Sequence, residues 1–250
     1  MFKRIVTISI TFLIILQLFH LKEYYQHPIS SQITIEQNEN YNQQKMDGLL
    51  KKKTIVIIRN YKKLNSLINL TNLQKYNELI KFKNYNYSII DIINNKIPSF
   101  ILFQINFARD LPIISNLGSP LTISKKIFAT WGIQNTITSI TSLAYERNYF
   151  HVIKGEIVIY LIKPGLKSKL SLTHSKNKSI KTSDIDIQNP EMLLYPEYSD
   201  VQKEYIPITL RQGNLLYLPN DWSFYIYYKK NTLLLNYNFQ TITSKIASYF

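Results

Sequence analysis

A succession of short β-branched and aromatic runs late in the chain restricts it to a fold made of strands. Residues 139–164, SITSLAYERNYFHVIKGEIVIYLIKP, read as two β-strands facing a pocket. Residues 213–239, GNLLYLPNDWSFYIYYKKNTLLLNYNF, are expected across that pocket. Four short strands are expected at 206–210, 215–218, 224–228 and 233–237, and even spacing of this kind belongs to sandwiches and barrels. Tyr (19) and Phe (12) outnumber Gly (6), which suits strands with few glycine turns.

At the other end, Phe2-Lys3-Arg4 precedes the apolar run IVTISITFLIILQLFHL, residues 5–21. As a helix this run reaches about 25 Å, just enough for a thin bilayer core of about 27–30 Å. Thr7, Ser9 and Thr11 can bond back to their own helix, and no polar face marks it as a globular helix. No small residues suited to cleavage follow. Residues 1–22 are therefore expected to be an uncleaved signal-anchor, single-pass, with the rest of the chain beyond the membrane. Lys22 weakens that charge asymmetry. A cleaved signal peptide, and so a secreted domain, is the alternative.

Residues 23–50 are polar and read as a linker, and 51–250 as one domain, mainly β with some α. Residues 53–59 form a compact β-branched run, an expected strand. Helical spacing covers 64–82 with Thr71 as N-cap, and 88–93 suits another short helix. A strand is expected at 99–105, loop and short helix at 106–126, and a strand at 127–132. Residues 165–188, with Lys167, Lys169, Lys176 and Lys178, read as a solvated insertion. Asn189-Pro190-Glu191 and Tyr195-Pro196-Glu197 mark turns.

There is no cysteine, which removes disulfides, thiolate metal sites and cysteine nucleophiles. A net charge of +14 would draw the chain to nucleic acid or anionic lipid. The lysines are scattered, however, and no nucleic-acid recognition motif accompanies them, so a solvated basic surface is the expectation. Asn69, Asn86 and Asn177 head Asn-x-Ser/Thr sequons, which an Asn-rich chain produces readily by chance. Heavy use of Ile, Asn, Lys and Tyr hints at an AT-rich coding genome, as in a large virus or a protist.

Several pieces, in order, resemble one family. They are residues 54–60; Arg147-Asn148-Tyr149-Phe150 followed by Ile153-Lys154-Gly155; Leu161-Ile162-Lys163-Pro164; Ser183-Asp184-Ile185-Asp186 with Asn189-Pro190-Glu191 and Tyr195-Pro196; and residues 213–222 ending in Trp222. The set is similar to the JmjC and cupin-8 family, and closest in pattern to its asparaginyl-hydroxylase branch. The resemblance implies a double-stranded β-helix, or jelly roll, and an Fe(II)- and 2-oxoglutarate-dependent oxygenase. It also implies His-x-Asp on one strand, a second His on a distant strand, and a lysine for the 2-oxoglutarate carboxylate. Two imidazoles and a carboxylate would hold one face of the iron and leave the other for 2-oxoglutarate and O₂.

Carried over position by position, the resemblance meets residues that cannot do this. Without a gap the His-x-Asp position falls on Ser142-Leu143-Ala144; with a one-residue gap it falls on Thr141-Ser142-Leu143. The distal His position is Phe224 and the lysine position Ile157. Of the four histidines, His20 lies in the apolar run, His27 in the linker, His151 between Phe150 and Val152, and His174 in the insertion. Thr141, Ser142, Asn148 and Asn236 remain as polar residues of a vestigial pocket. The reading that follows is a membrane-anchored, non-catalytic binding or structural module, without cofactor, holding an unspecified protein partner. Two alternatives stand beside it. One is an active 2-oxoglutarate hydroxylase whose ligands are displaced onto His151 and a carboxylate. The other is a structural protein of a viral envelope or particle.

Overall fold

The computed structural model describes residues 121–175 and 178–247 without a break. Before them it describes 4, 6–12, 14, 15, 18, 33–36, 47–50, 52–59, 61, 80–82, 85–87, 101–104 and 117–119. Its strands are β1 (Ile33–Glu36), β2 (Ile55–Ile58), β3 (Ile80–Phe82), β4 (Tyr85–Tyr87), β5 (Ile101–Gln104), β6 (Thr122–Gly132), β7 (Thr141–Leu143), β8 (Arg147–Lys154) and β9 (Glu156–Ile162). A 3-10 helix at Pro164–Leu170 leads to β10 (Leu172–His174) and β11 (Ile180–Ser183). Then come α1 (Tyr198–Lys203), β12 (Ile206–Arg211), β13 (Leu215–Pro219), β14 (Ser223–Tyr228), β15 (Thr232–Thr241) and α2 (Ile242–Ala247).

These strands build two large sheets and a small hairpin of β3 with β4. The larger sheet runs β1-β2-β13-β8-β15-β6-β5, and the smaller β10-β11-β7-β14-β9-β12. All pairings are antiparallel except β1 with β2. From β7 to β9 and from β12 to β15 the chain changes sheet at every turn. The segment 139–164 is therefore not a laddered hairpin: β8 and β9 lie in opposite sheets. Gly155 makes the corner between them at φ 94°, in the left-handed region that favours glycine. A Cβ there would sit 2.5 Å from the Asn231 carbonyl oxygen. Nor does 213–239 sit wholly across the pocket. It is laced through it, with β13 and β15 flanking β8 while β14 lies between β7 and β9.

Side chains alternate across each strand, so one set points between the sheets. Ile55 and Ile57 (β2), Phe150 and Val152 (β8), Leu216 and Leu218 (β13) and Leu234 (β15) meet Leu143 (β7), Ile157, Ile159 and Leu161 (β9), Ile208 and Leu210 (β12), and Phe224, Ile226 and Tyr228 (β14). Each such side chain contributes roughly 1.5–3 kcal/mol by leaving water. The opposite faces are covered too. Outside the smaller sheet, Ile162 and Tyr225 pack with Leu170, Ile185, Tyr198 and Val201. Tyr198 and Val201 stand three apart on α1 and share its buried face. Outside the larger sheet, Tyr149, His151, Tyr217, Tyr237 and Phe239 are buried. There Tyr149 Oη donates to the Leu117 carbonyl at 2.9 Å, and Arg147 Nη1 to the Gly118 carbonyl at 2.9 Å.

Several expectations need correction. The 23–50 stretch contributes β1, so the fold starts before residue 51; Ile33 and Ile35 alternate with Thr34 along a strand that pairs with β2. Residues 80–82, at the end of the expected 64–82 helix, form β3, with Ile80 opposite Tyr87; the rest of that helix and the 88–93 helix lie outside the described residues. β6 begins at Thr122, inside the expected 106–126 loop, because β15 is long enough to pair with it down to Thr241. The 165–188 insertion supplies β10, β11 and the buried Leu170 and Ile185. Residues 6–12 are helical, and Val6, Ile8, Ile10 and Phe12 on them are exposed. Among the described residues, no helix is long and apolar enough to cross a membrane.

Candidate functional site

The register of β7 against β14 decides which of its residues look into the sandwich. Thr141 stands opposite Phe224 and Ser142 opposite Ser223. Phe224 and Leu143 belong to the inner core, so Thr141 and Leu143 face inward. Ser142 takes the other face, which corrects its place as a pocket residue. Ala144 follows the end of β7, and its N–H donates to the Ser179 carbonyl at 2.9 Å. The gapped register, Thr141-Ser142-Leu143, is thus the one whose outer two residues point to the centre.

What they meet there is hydrocarbon. The Phe224 ring lies edge-on to Phe150, with centroids 4.9 Å apart and planes at 75°. Ile157 is fully buried between Leu210 and Tyr228 on the neighbouring strands. The Thr141 hydroxyl donates to the Ser139 carbonyl at 3.2 Å, within its own turn. Thr141 is half-buried and its hydroxyl bond is exposed, while Leu143, Ile157 and Phe224 at the inward positions of β7, β9 and β14 are buried.

The larger sheet supplies the polar wall. Asn148 faces inward, two residues from Phe150, and stands opposite Leu218 on β13 and Asn238 on β15. Its Nδ2 donates to the Tyr145 and Leu218 carbonyls, both at 3.3 Å. Its Oδ1 is buried and has no hydrogen-bond partner among the described residues. Asn236, opposite Phe150, donates from Nδ2 to the Tyr149 carbonyl at 3.2 Å. Sequence reasoning missed Asn238 and Gln240. Asn238 is 1% exposed and among the described residues neither its Oδ1 nor its Nδ2 has a hydrogen-bond partner, while Gln240 Nε2 donates to Ser179 Oγ at 3.3 Å. The signal was available: along β15, amides at 236, 238 and 240 alternate with Leu235, Tyr237 and Phe239.

The remaining candidates lie elsewhere. His151 is on the outer face of β8, fully buried, with Nδ1 3.1 Å from Tyr237 Oη. Desolvation lowers its pKa from 6.5 to about 3, so it is neutral. His174 Nδ1 is 3.1 Å from the Lys178 carbonyl in an exposed turn. Asp184 and Asp186 are exposed, and Asp186 Oδ1 accepts from Gln188 N at 2.9 Å. They border an open polar groove of about 670 Å³ between residues 135–139 and 182–188. Among the described residues, no three His, Asp or Glu side chains are grouped to hold a metal ion.

Three comparisons bear on this geometry. The profile of the cupin-like domain family matches residues 32–245. A solved structure similar to the chain is hydroquinone 1,2-dioxygenase from Sphingomonas sp. TTNP3 with 4-hydroxybenzoate bound, at 14% identity and TM-score 0.32. The match covers 48% of this chain and 62% of that one, and at such distance it carries no argument about activity. No curated protein matches the chain. The profile match runs from β1 into α2, through both large sheets, and the chain belongs to the cupin-like domain family.

Proposed function

We propose that this cupin-like domain has given up Fe(II) and 2-oxoglutarate chemistry and works by binding, held at a membrane by its N-terminal apolar run. One observation carries the first half: the inward positions where the family resemblance expects ligands hold Thr141, Leu143 and Phe224, and Ile157 stands where it expects a lysine. A hydroxyl committed to its own turn and three hydrocarbon side chains do not fit a divalent iron, which prefers imidazole nitrogen and carboxylate oxygen. Ile157 can give no charge-assisted bond to a dicarboxylate, an interaction of about 1.5–3 kcal/mol. The Phe224 ring takes up volume on the side where a cofactor would sit. The ordered motifs that resemble the asparaginyl hydroxylases support descent from an enzyme of that kind.

The displaced-ligand oxygenase finds less support. His151, its principal candidate, is on the opposite face of β8 from Asn148 and Phe150, and its Nδ1 is engaged with Tyr237. For the second half, Val6, Ile8, Ile10 and Phe12 stand exposed on a helical stretch whose Thr11 hydroxyl donates to the Thr7 carbonyl at 2.9 Å. An apolar stretch that satisfies its own polar groups suits lipid better than water.

Anaerobic calorimetry on the full chain in detergent, titrating Fe(II) with and without 2-oxoglutarate, tests the binding-module reading. Heat at the level of dilution alone is expected. Micromolar co-binding of both would overturn it.

A further inference from the structure

The strand directions gather distant parts of the chain at one end of the larger sheet. A single row of partners crosses it: Thr34, Val56, Tyr217, Tyr149, Tyr237 and Ile127. β1, β2, β8 and β6 run one way and β13 and β15 the other. One side of the row therefore collects the entry to β1, the Lys52-Lys53 turn before β2, the 144–146 connection, the start of β6, and α2 after β15.

This end carries apolar side chains that the core does not take up. Leu121 just before β6 is 68% exposed, Ile123 on it 50%, and Ile242 at the start of α2 43%. Thr122 stands opposite Thr241, so all three are within one or two residues of a single pair of partners. Lysines surround them: Lys52 and Lys245 are exposed, Lys53 and Lys125 half-buried. Ile242 and Lys245 stand three apart on α2 and share a face. Among the described residues of these connections the carboxylates are Asp47, Glu146 and Asp221, and Asp221 pairs with Lys167 at 3.3 Å. Hydrocarbon bordered by ammonium groups suits the boundary of an anionic bilayer, where each meets its own kind of partner.

Other surfaces lack this combination. The opposite end of the sheet has Lys229 and Lys230, but Glu156 holds Lys229 at 3.6 Å and no large apolar side chain is exposed there among the described residues. The exposed Met192-Leu193-Leu194 tip stands between Glu191 and Glu197, which an anionic surface repels.

We propose that this end of the larger sheet docks on an anionic bilayer, with Leu121, Ile123 and Ile242 at the acyl boundary and the lysines among the headgroups. The proposal rests on the membrane-held reading and adds which way the domain faces. The course of the chain supports it. Ile33 comes eleven residues after Lys22, a stretch that reaches no more than about 40 Å even fully extended, and it enters β1 from this same end. So short a tether keeps the end concentrated beside the bilayer, where a small patch is enough to hold it.

The chain has no cysteine, so a single introduced one can carry an environment-sensitive fluorophore. Leu121→Cys, Ile242→Cys, Leu193→Cys and, at the far end, Lys230→Cys are labelled in the full chain. Each is reconstituted into phosphatidylcholine–phosphatidylserine vesicles containing nitroxide-labelled lipid as quencher. The probes at 121 and 242 are expected to shift to the blue and to be quenched about 5–10 Å below the headgroup boundary. Those at 193 and 230 are expected to do neither. Lys52→Gln and Lys245→Gln in the Leu121→Cys chain should each lower the docked-to-undocked ratio about fivefold. Flotation of the same labelled chains separates two failures. Chains that float while the probes at 121 and 242 stay unquenched overturn the docking and leave the anchor standing. Chains that do not float overturn both. Quenching at 193 or 230 in place of 121 and 242 would show that another surface faces the lipid and would overturn the assignment.

Discussion

His151 shows how one side chain can set the acid limit of the fold. Its ring is fully buried against Tyr237, on the outer face of the larger sheet, and its pKa falls to about 3. The unfolded chain takes up this proton near 6.5, the folded chain only near 3. Stability from keeping the ring neutral is therefore complete above pH 6.5 and is lost as pH falls toward 3, at about 1.4 kcal/mol per pH unit. Unfolding in urea at pH 7 and pH 5 checks this. In His151→Gln, which can still accept from Tyr237, the difference between the two pH values should shrink by about 2 kcal/mol. An unchanged difference would assign the acid sensitivity to other groups. Phe224 works through volume. It is 5% exposed and wedged against Phe150, so Phe224→Ala should cost about 3–5 kcal/mol in the same assay. A loss below about 1 kcal/mol would mean that the centre of the sandwich is not filled by this ring.

At the level of the elements, the corner at Gly155 holds the two sheets in register. β8 and β9 share no ladder, so the turn between them must bring the chain across the core in a single step. Its positive φ and the approach of the Thr232 Cα to 2.8 Å from where a Cβ would stand leave no room for a side chain. Gly155→Ala should lower stability by about 1–3 kcal/mol in urea denaturation. A neutral result would show that the corner can relax. This turn also shows what the sequence could and could not reveal. The strands from β12 to β15 were legible, since runs of Ile, Leu and Tyr bounded by Gly213, Pro219 and Asn231 announce themselves. Which sheet each strand enters was not, because a run apolar on both faces carries no alternation. β15 was the partial exception: its amides at alternate positions mark one face as different. Asn236 was recognised through the family pattern, while Asn238 needed the ladder to Asn148 to give it meaning. β1 was hidden because it is short, lies in a polar stretch of sequence, and is defined by pairing with β2, Ile33 opposite Ile55.

On the scale of the whole molecule, the two ends of the chain follow different physics. Among the described residues from β1 to α2 most apolar groups are hidden between and around two sheets, although Leu121, Leu193 and Leu194 are exposed. Near the start of the chain Ile8 is 69% exposed and Phe12 59% exposed on a helical stretch with no polar side. In water such a surface is costly, at roughly 25 cal/mol per Å² of apolar area. The membrane proposal assigns that relief to lipid, where the Thr7–Thr11 bond within the helix would need no outside partner. The +14 charge adds a second, weaker attraction to anionic headgroups, one that salt screens. The two contributions separate in a flotation assay with neutral and anionic vesicles at low and high salt. The full chain should float with both vesicle types and resist high salt. A chain lacking residues 1–22 should float only with anionic vesicles and only at low salt. Release of the full chain from neutral vesicles by salt alone would sink the anchor and leave surface charge as the whole attraction.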